Sequence, residues 1–167
     1  KTLPEGRFRG NASDDVVLAA TQRVLRIEST LRALGHNARY RLRRAARWIV
    51  QGVSSPRLTL APGAALAMGE GSSLEVGLEL PGALVAEGDP SAGPVRLAAA
   101  AADAGPASWG AVVLGAQADV ARSRLRDMEI SGAGGAVTGA FESCPAPPTA
   151  DVESRGMLVL AGPSAAM

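Results

Sequence analysis

The stretch Arg57-Leu58-Thr59-Leu60-Ala61-Pro62-Gly63-Ala64-Ala65-Leu66-Ala67-Met68-Gly69-Glu70-Gly71-Ser72-Ser73-Leu74-Glu75-Val76 repeats one small unit. An apolar pair at i, i+2 (Leu58/Leu60, Leu66/Met68, Leu74/Val76) is followed by a turn rich in Gly or Pro. Residues two apart on an extended chain point to the same side, so each pair places two aliphatic groups on one face. Leu58, Leu66 and Leu74 lie 8 residues apart, a spacing that fits strand plus turn and matches no helical face. Working outward, the series continues through Leu84/Ala86, Val95/Leu97, Val112/Leu114 and Met128/Ile130, punctuated by Pro81-Gly82 and Gly88-Asp89-Pro90. An antiparallel meander would show the same alternation. It would also need tight Asn-Gly or Asp-Gly hairpin turns and aromatic or β-branched cross-strand partners, and neither is present. Three such strands make one coil of a parallel β-solenoid, and Leu60 to Leu84, 24 residues, is a suitable repeat. The interior is expected to hold Leu60, Leu66, Leu74, Leu84, Val95, Leu97, Val112, Leu114, Leu125 and Ile130.

Composition agrees. The 167 residues suit one domain, and with two Phe, two Trp and one Tyr the core must be aliphatic. Gly 20 and Pro 11 mark many turns. The longest apolar run, Leu97 to Ala102, falls far short of the roughly 18 residues a membrane span needs, so no span is expected. Cys144 is the sole cysteine and can form no internal disulfide. Net charge is +1, yet residues 1–50 carry 11 basic and 4 acidic side chains, a balance of +7. Residues 51–167 carry 6 and 12, a balance of −6.

Between Trp48 and Gly135 the order of segments resembles bacterial right-handed parallel β-helix proteins of the pectin-lyase-like superfamily. Trp48-Ile49-Val50-Gln51-Gly52 and Arg57-Leu58-Thr59-Leu60-Ala61-Pro62-Gly63 resemble the opening of that fold, and Gly82-Ala83-Leu84-Val85-Ala86-Glu87-Gly88 its next segment. Pro94-Val95-Arg96-Leu97, Trp109-Gly110-Ala111-Val112 and Ser123-Arg124-Leu125-Arg126-Asp127-Met128-Glu129-Ile130 follow in the same order. The resemblance covers about half the chain and implies an all-β, right-handed parallel β-helix of a secreted or cell-surface protein.

The resulting organisation is a tail over residues 1–14, an N-terminal cap over 15–50, coils over 51–140, a Pro-rich loop over 141–150 and the start of a further coil over 151–167. Within the cap, residues 15–34 read two ways. Ser13-Asp14-Asp15 suits a helix N-cap and Gly35 a helix end, while Leu25/Ile27 alternates as in a strand. For residues 39–50 alternation favours strand. The C-terminal coil, with Met157, Leu158, Val159 and Leu160, is expected to continue beyond Met167 and to self-associate through its uncovered layer.

Lyases of the resembled group use clustered acids for calcium and an Arg base, and its hydrolases use grouped Asp residues with a His. Asp14-Asp15 is the sole adjacent carboxylate pair and reads as a cap or solvated turn. His36 and Cys144 stand in loop-like sequence with no partner to activate them. Glu70, Glu75, Glu79, Glu87 and Asp89 read as a solvated face, Glu75 pointing outward, without the convergence calcium demands. Gly132-Ala133-Gly134-Gly135 lacks the downstream Lys-Ser/Thr of a phosphate loop and reads as a turn. No catalytic residue, metal ligand or cofactor is therefore assigned. Arg39, Arg41, Arg43, Arg44 and Arg47 form the candidate anion-binding face. The alternative is an Arg face that is solvated or paired with acids of the next coil. Missing aromatic interleaving argues against nucleic acid. The expected function is a non-catalytic solenoid module presenting a face to anionic polysaccharide or another protein. The alternative is the N-terminal part of a polysaccharide lyase or glycoside hydrolase whose catalytic residues lie beyond the chain end.

Overall fold

The computed structural model describes residues 14–18, 22–35, 38–101, 107–135 and 158–160. Among them every regular element is a strand and every pairing between strands is parallel. In chain order these are β1 (Val16–Leu18), β2 (Gln22–Leu25), β3 (Ser29–Leu31), β4 (Tyr40–Leu42), β5 (Arg47–Val50), β6 (Arg57–Leu60) and β7 (Ala65–Met68). Then come β8 (Ser73–Val76), β9 (Ala83–Glu87), β10 (Val95–Ala99), β11 (Val112–Leu114), β12 (Arg124–Arg126), β13 (Met128–Ile130) and β14 (Leu158–Leu160). They fall into three sheets in the orders β1-β4-β7-β10-β13, β2-β5-β8-β11-β14 and β3-β6-β9-β12. Each sheet takes every third strand, so the chain winds through first, second and third sheet in turn: a parallel β-helix.

Register explains why i, i+2 pairs build this fold. Tyr40 stands over Leu66, Leu66 over Leu97 and Leu97 over Ile130. In the second sheet Trp48, Leu74 and Val112 align, as do Val50, Val76 and Leu114. In the third, Leu31, Leu60, Ala86 and Leu125 align. These lanes meet in one buried aliphatic cluster. Of the expected interior, Leu60, Leu66, Leu74, Leu84, Val95, Leu97, Val112 and Leu114 are buried, while Leu125 and Ile130 are only partly covered. The two exceptions belong to β12 and β13, which end their sheets in the strand order. Leu84 stacks on Leu58, and Leu60 on Ala86, so the coil is two residues longer than the 24 spacing suggested. A shift of two keeps every side chain on its own face and leaves the interior unaltered. Burial pushes the Tyr40 phenol above its ordinary pKa, against opposing contributions from the backbone and charge of Arg32.

Residues 15–34 take the strand alternative, with β1, β2 and β3 pairing in register with β4, β5 and β6 as a first full coil. The helical reading of Asp14-Asp15 fails because Asp15 is held by Arg39 across the sheet, through Nε–Oδ1 at 3.3 Å and an Nη–Oδ2 contact at 3.2 Å. Turns between coils are tight. A Cβ on Gly82 would stand 2.1 Å from the Val50 carbonyl oxygen, so only glycine fits there. Trp109 is buried beside the Gly132–Gly135 segment, its indole N–H donating to the Ser131 carbonyl at 2.8 Å; that segment is irregular backbone with positive φ at Gly132 and Gly134, and it bonds to Trp109 and Gly110 rather than closing a turn on itself. Leu158–Leu160 pairs with β11 as the further coil requires. Residues 1–13, His36, Cys144 and the Pro-rich loop over 141–150 lie outside the described residues, as do the rest of 151–167 and the proposed uncovered layer's Met157.

Candidate functional site

Strand alternation around β4 buries Tyr40 and Leu42 and turns Arg41 and Arg43 to the outside. The stack then separates the five arginines of the candidate face. Arg39 is bound to Asp15 of the preceding coil. Arg44 contacts Glu70 of the next coil at 3.1 Å, an exposed pair of little energetic weight. Arg47 lies on the second sheet, where its Nε and Nη2 meet the two carboxylate oxygens of Glu75 at 2.9 and 2.6 Å. Arg41 and Arg43 make no ion pair among the described residues.

Glu75 corrects the expectation of a solvated acid. It points away from the aliphatic interior, between Leu74 and Val76, yet is fully buried. Its strand neighbours at that position are Ile49 and Val113, themselves buried. The carboxylate is satisfied by the Arg47 fork and by the Ser73 hydroxyl, which donates at 2.6 Å. Hydrogen bonding to Glu75 raises the Arg47 pKa above its ordinary value, against a smaller opposing effect of burial. The rest of the acidic stretch diverges. Glu70 pairs with Arg44, Glu79 is exposed, and Asp89 accepts from the Ser91 backbone N–H at 2.8 Å and from the Ser91 hydroxyl. Those bonds lower the Asp89 pKa, the Ser91 hydroxyl first among them. No group of three or more His, Cys, Asp or Glu is arranged to hold a metal among the described residues.

Two hollows flank the outer face of the first sheet. One, about 610 Å³, adjoins the starts of its strands near Arg39, Ala65 and Arg96. Both arginines there are already paired, Arg96 with Glu129 at 2.7 Å. The other, about 690 Å³, adjoins the strand ends and crosses the coils from Val17 past Arg41, Arg43 and Arg44 to Glu70 and Ala100. Here two guanidinium groups have no carboxylate partner among the described residues. Gly69 fixes their position: a Cβ on it would lie 2.5 Å from the Arg43 carbonyl carbon, so the arginine-bearing turn packs onto bare backbone. This second hollow is an open cationic groove with apolar walls, able to bind an anion by paired N–H donors and charge. The ion pairs that divide the arginines join partners separated by about one coil: 24 residues for Arg39–Asp15, 26 for Arg44–Glu70, 28 for Arg47–Glu75.

No helix among the described residues is long and apolar enough to cross a membrane. Comparison with protein-family models, curated proteins and solved structures gives no match to this chain.

Proposed function

We propose that this chain is a non-catalytic β-solenoid module that binds an anionic polysaccharide in the groove beside Arg41 and Arg43. The observation that carries the reading is the pair itself. Two exposed guanidinium groups, Arg41 on β4 and Arg43 just after its end, lack a carboxylate partner among the described residues and line an open groove. Guanidinium forks suit carboxylate and sulfate groups, and a groove crossing several coils suits a linear polymer. The ordered resemblance of residues 48–135 to bacterial pectin-lyase-like β-helices supports a secreted or cell-surface setting for the module.

The test is binding of the full chain to immobilised polygalacturonate, with a neutral glucan as control, at low and at moderate salt. Retention on the acidic polymer alone, weakened by salt and lost in Arg41→Ala/Arg43→Ala, is the expected result. Equal binding to both polymers, or binding indifferent to the double substitution, would overturn the reading. Cleavage of the polymer by the chain would instead favour the lyase or hydrolase alternative.

A further inference from the structure

Where the chain passes from the first sheet into the second, the two first coils leave a small hollow between them. Leu18 and Leu42, the last residues of β1 and β4, line it together with Arg23, Ala46, Arg47 and Trp48. Its volume is about 10 Å³, room for one particle the size of a water molecule. Trp48 is 5 % exposed, and its indole N–H is buried without a hydrogen-bond partner. The other tryptophan differs, since the Trp109 N–H donates to the Ser131 carbonyl. A buried donor left unpaired bears its full desolvation cost, so native structures nearly always supply an acceptor. The side chains around the hollow supply none. Leu18, Leu42 and Ala46 are apolar, and the indole and the two guanidinium groups only donate.

Charge decides between the acceptors that could enter. Arg47 turns its Nε and Nη2 to Glu75, so a carboxylate already offsets it. Arg23 stands over Trp48 in the ladder of β2 on β5, is exposed and makes no ion pair among the described residues. The hollow thus joins an uncompensated positive charge to an unpaired N–H. Water accepts from an indole, but its own two protons would meet only donors and apolar walls among these side chains. A halide ion accepts from every side and offsets the charge. We propose that the hollow is a halide site, held by the Trp48 N–H and the Arg23 guanidinium and filled by chloride. A polyatomic oxyanion such as sulfate exceeds its volume, so the site selects by size. It is separate from the groove beside Arg41 and Arg43, neither of which lines it.

Bromide, a chloride surrogate that quenches tryptophan fluorescence on contact, is the probe, titrated into the full chain against sulfate at fixed ionic strength. The expected result is quenching that saturates, that chloride reverses and that sulfate does not. Trp48→Phe, which leaves Trp109 alone, removes the saturable part and so assigns it to this ring. Arg23→Gln, at an exposed side chain whose loss leaves the far-ultraviolet circular dichroism unchanged, weakens the binding by about tenfold. Arg41→Ala/Arg43→Ala leaves it as it is, which keeps the site's test apart from that of the groove. Quenching that rises linearly with bromide, as collision alone gives, overturns the proposal and leaves the hollow to water. Saturation that sulfate reverses equally, or that is indifferent to Arg23→Gln, overturns it as well.

Discussion

Arg47 and Glu75 show how one residue pair can be decided by the stack rather than by its own neighbourhood. An acid between two interior positions of a strand ordinarily faces water, and Glu75 does leave the aliphatic core. It enters a second buried layer instead, beside Ile49 and Val113, where an unpaired carboxylate would be costly. The Arg47 fork and the Ser73 hydroxyl make the position tolerable, and pairing across adjacent strands fixes which coil lies over which. Removing the arginine alone should be severe: Arg47→Met leaves a carboxylate with no exposed area and one hydroxyl partner, a loss of about 3–5 kcal/mol in urea unfolding. Arg47→Met/Glu75→Leu, which removes both charges, should recover most of it. If the double variant is as unstable as the single one, the pair contributes through packing and the charge argument is wrong.

At the scale of strands and turns, alternation and turn spacing made β6 to β9 legible directly, because each apolar pair there is closed by Gly or Pro, and β10 is opened by Gly93-Pro94. The first coil was ambiguous for a physical reason. Its residues are good helix formers, and only in-register pairing with β4, β5 and β6 makes them strands, a tertiary preference that local propensity does not contain. The arginine face was legible as alternation on β4. Its division into paired and unpaired members was not, since that depends on acids one coil away. The groove itself was invisible to sequence because it is made where a glycine turn lets another turn approach. Gly69→Ala should therefore act on binding more than on folding. Its Cβ forces the Arg43–Arg44 backbone outward, and polygalacturonate retention should fall while β7 keeps its interior residues Leu66 and Met68. Unchanged retention, measured on the same column as the Arg41→Ala/Arg43→Ala variant, would separate the groove's shape from its charge and count against the close packing.

Across the whole molecule, each coil touches the coils above and below it, so stability is carried by nearest-neighbour layers and falls toward an end. Tyr40, Leu42, Trp48, Val50, Leu58 and Leu60 of one coil are covered from both sides and buried. In the first coil Val16 and Leu18 are only partly buried, and Val17 and Ile27 face water. That coil is held by long-range ties as well as by its ladders. Arg39 binds Asp15, and Arg122, from the turn between β11 and β12, reaches Glu28 at 2.8 Å and the Ser55 carbonyl at 2.6 Å. Arg122 thus clamps a later turn onto the two first coils. Native-state hydrogen exchange should find the slowest amides in β5 and β8 and the fastest opening in β1 to β3. Arg122→Ala should raise exchange in β3 and β6 by up to about fivefold, since an exposed tie is worth no more than about 1 kcal/mol, and leave β8 unchanged. Equal acceleration in every strand would mean that the solenoid opens as one unit and that the clamp is spread over the whole stack. No acceleration anywhere would mean that the ladders alone hold the first coil.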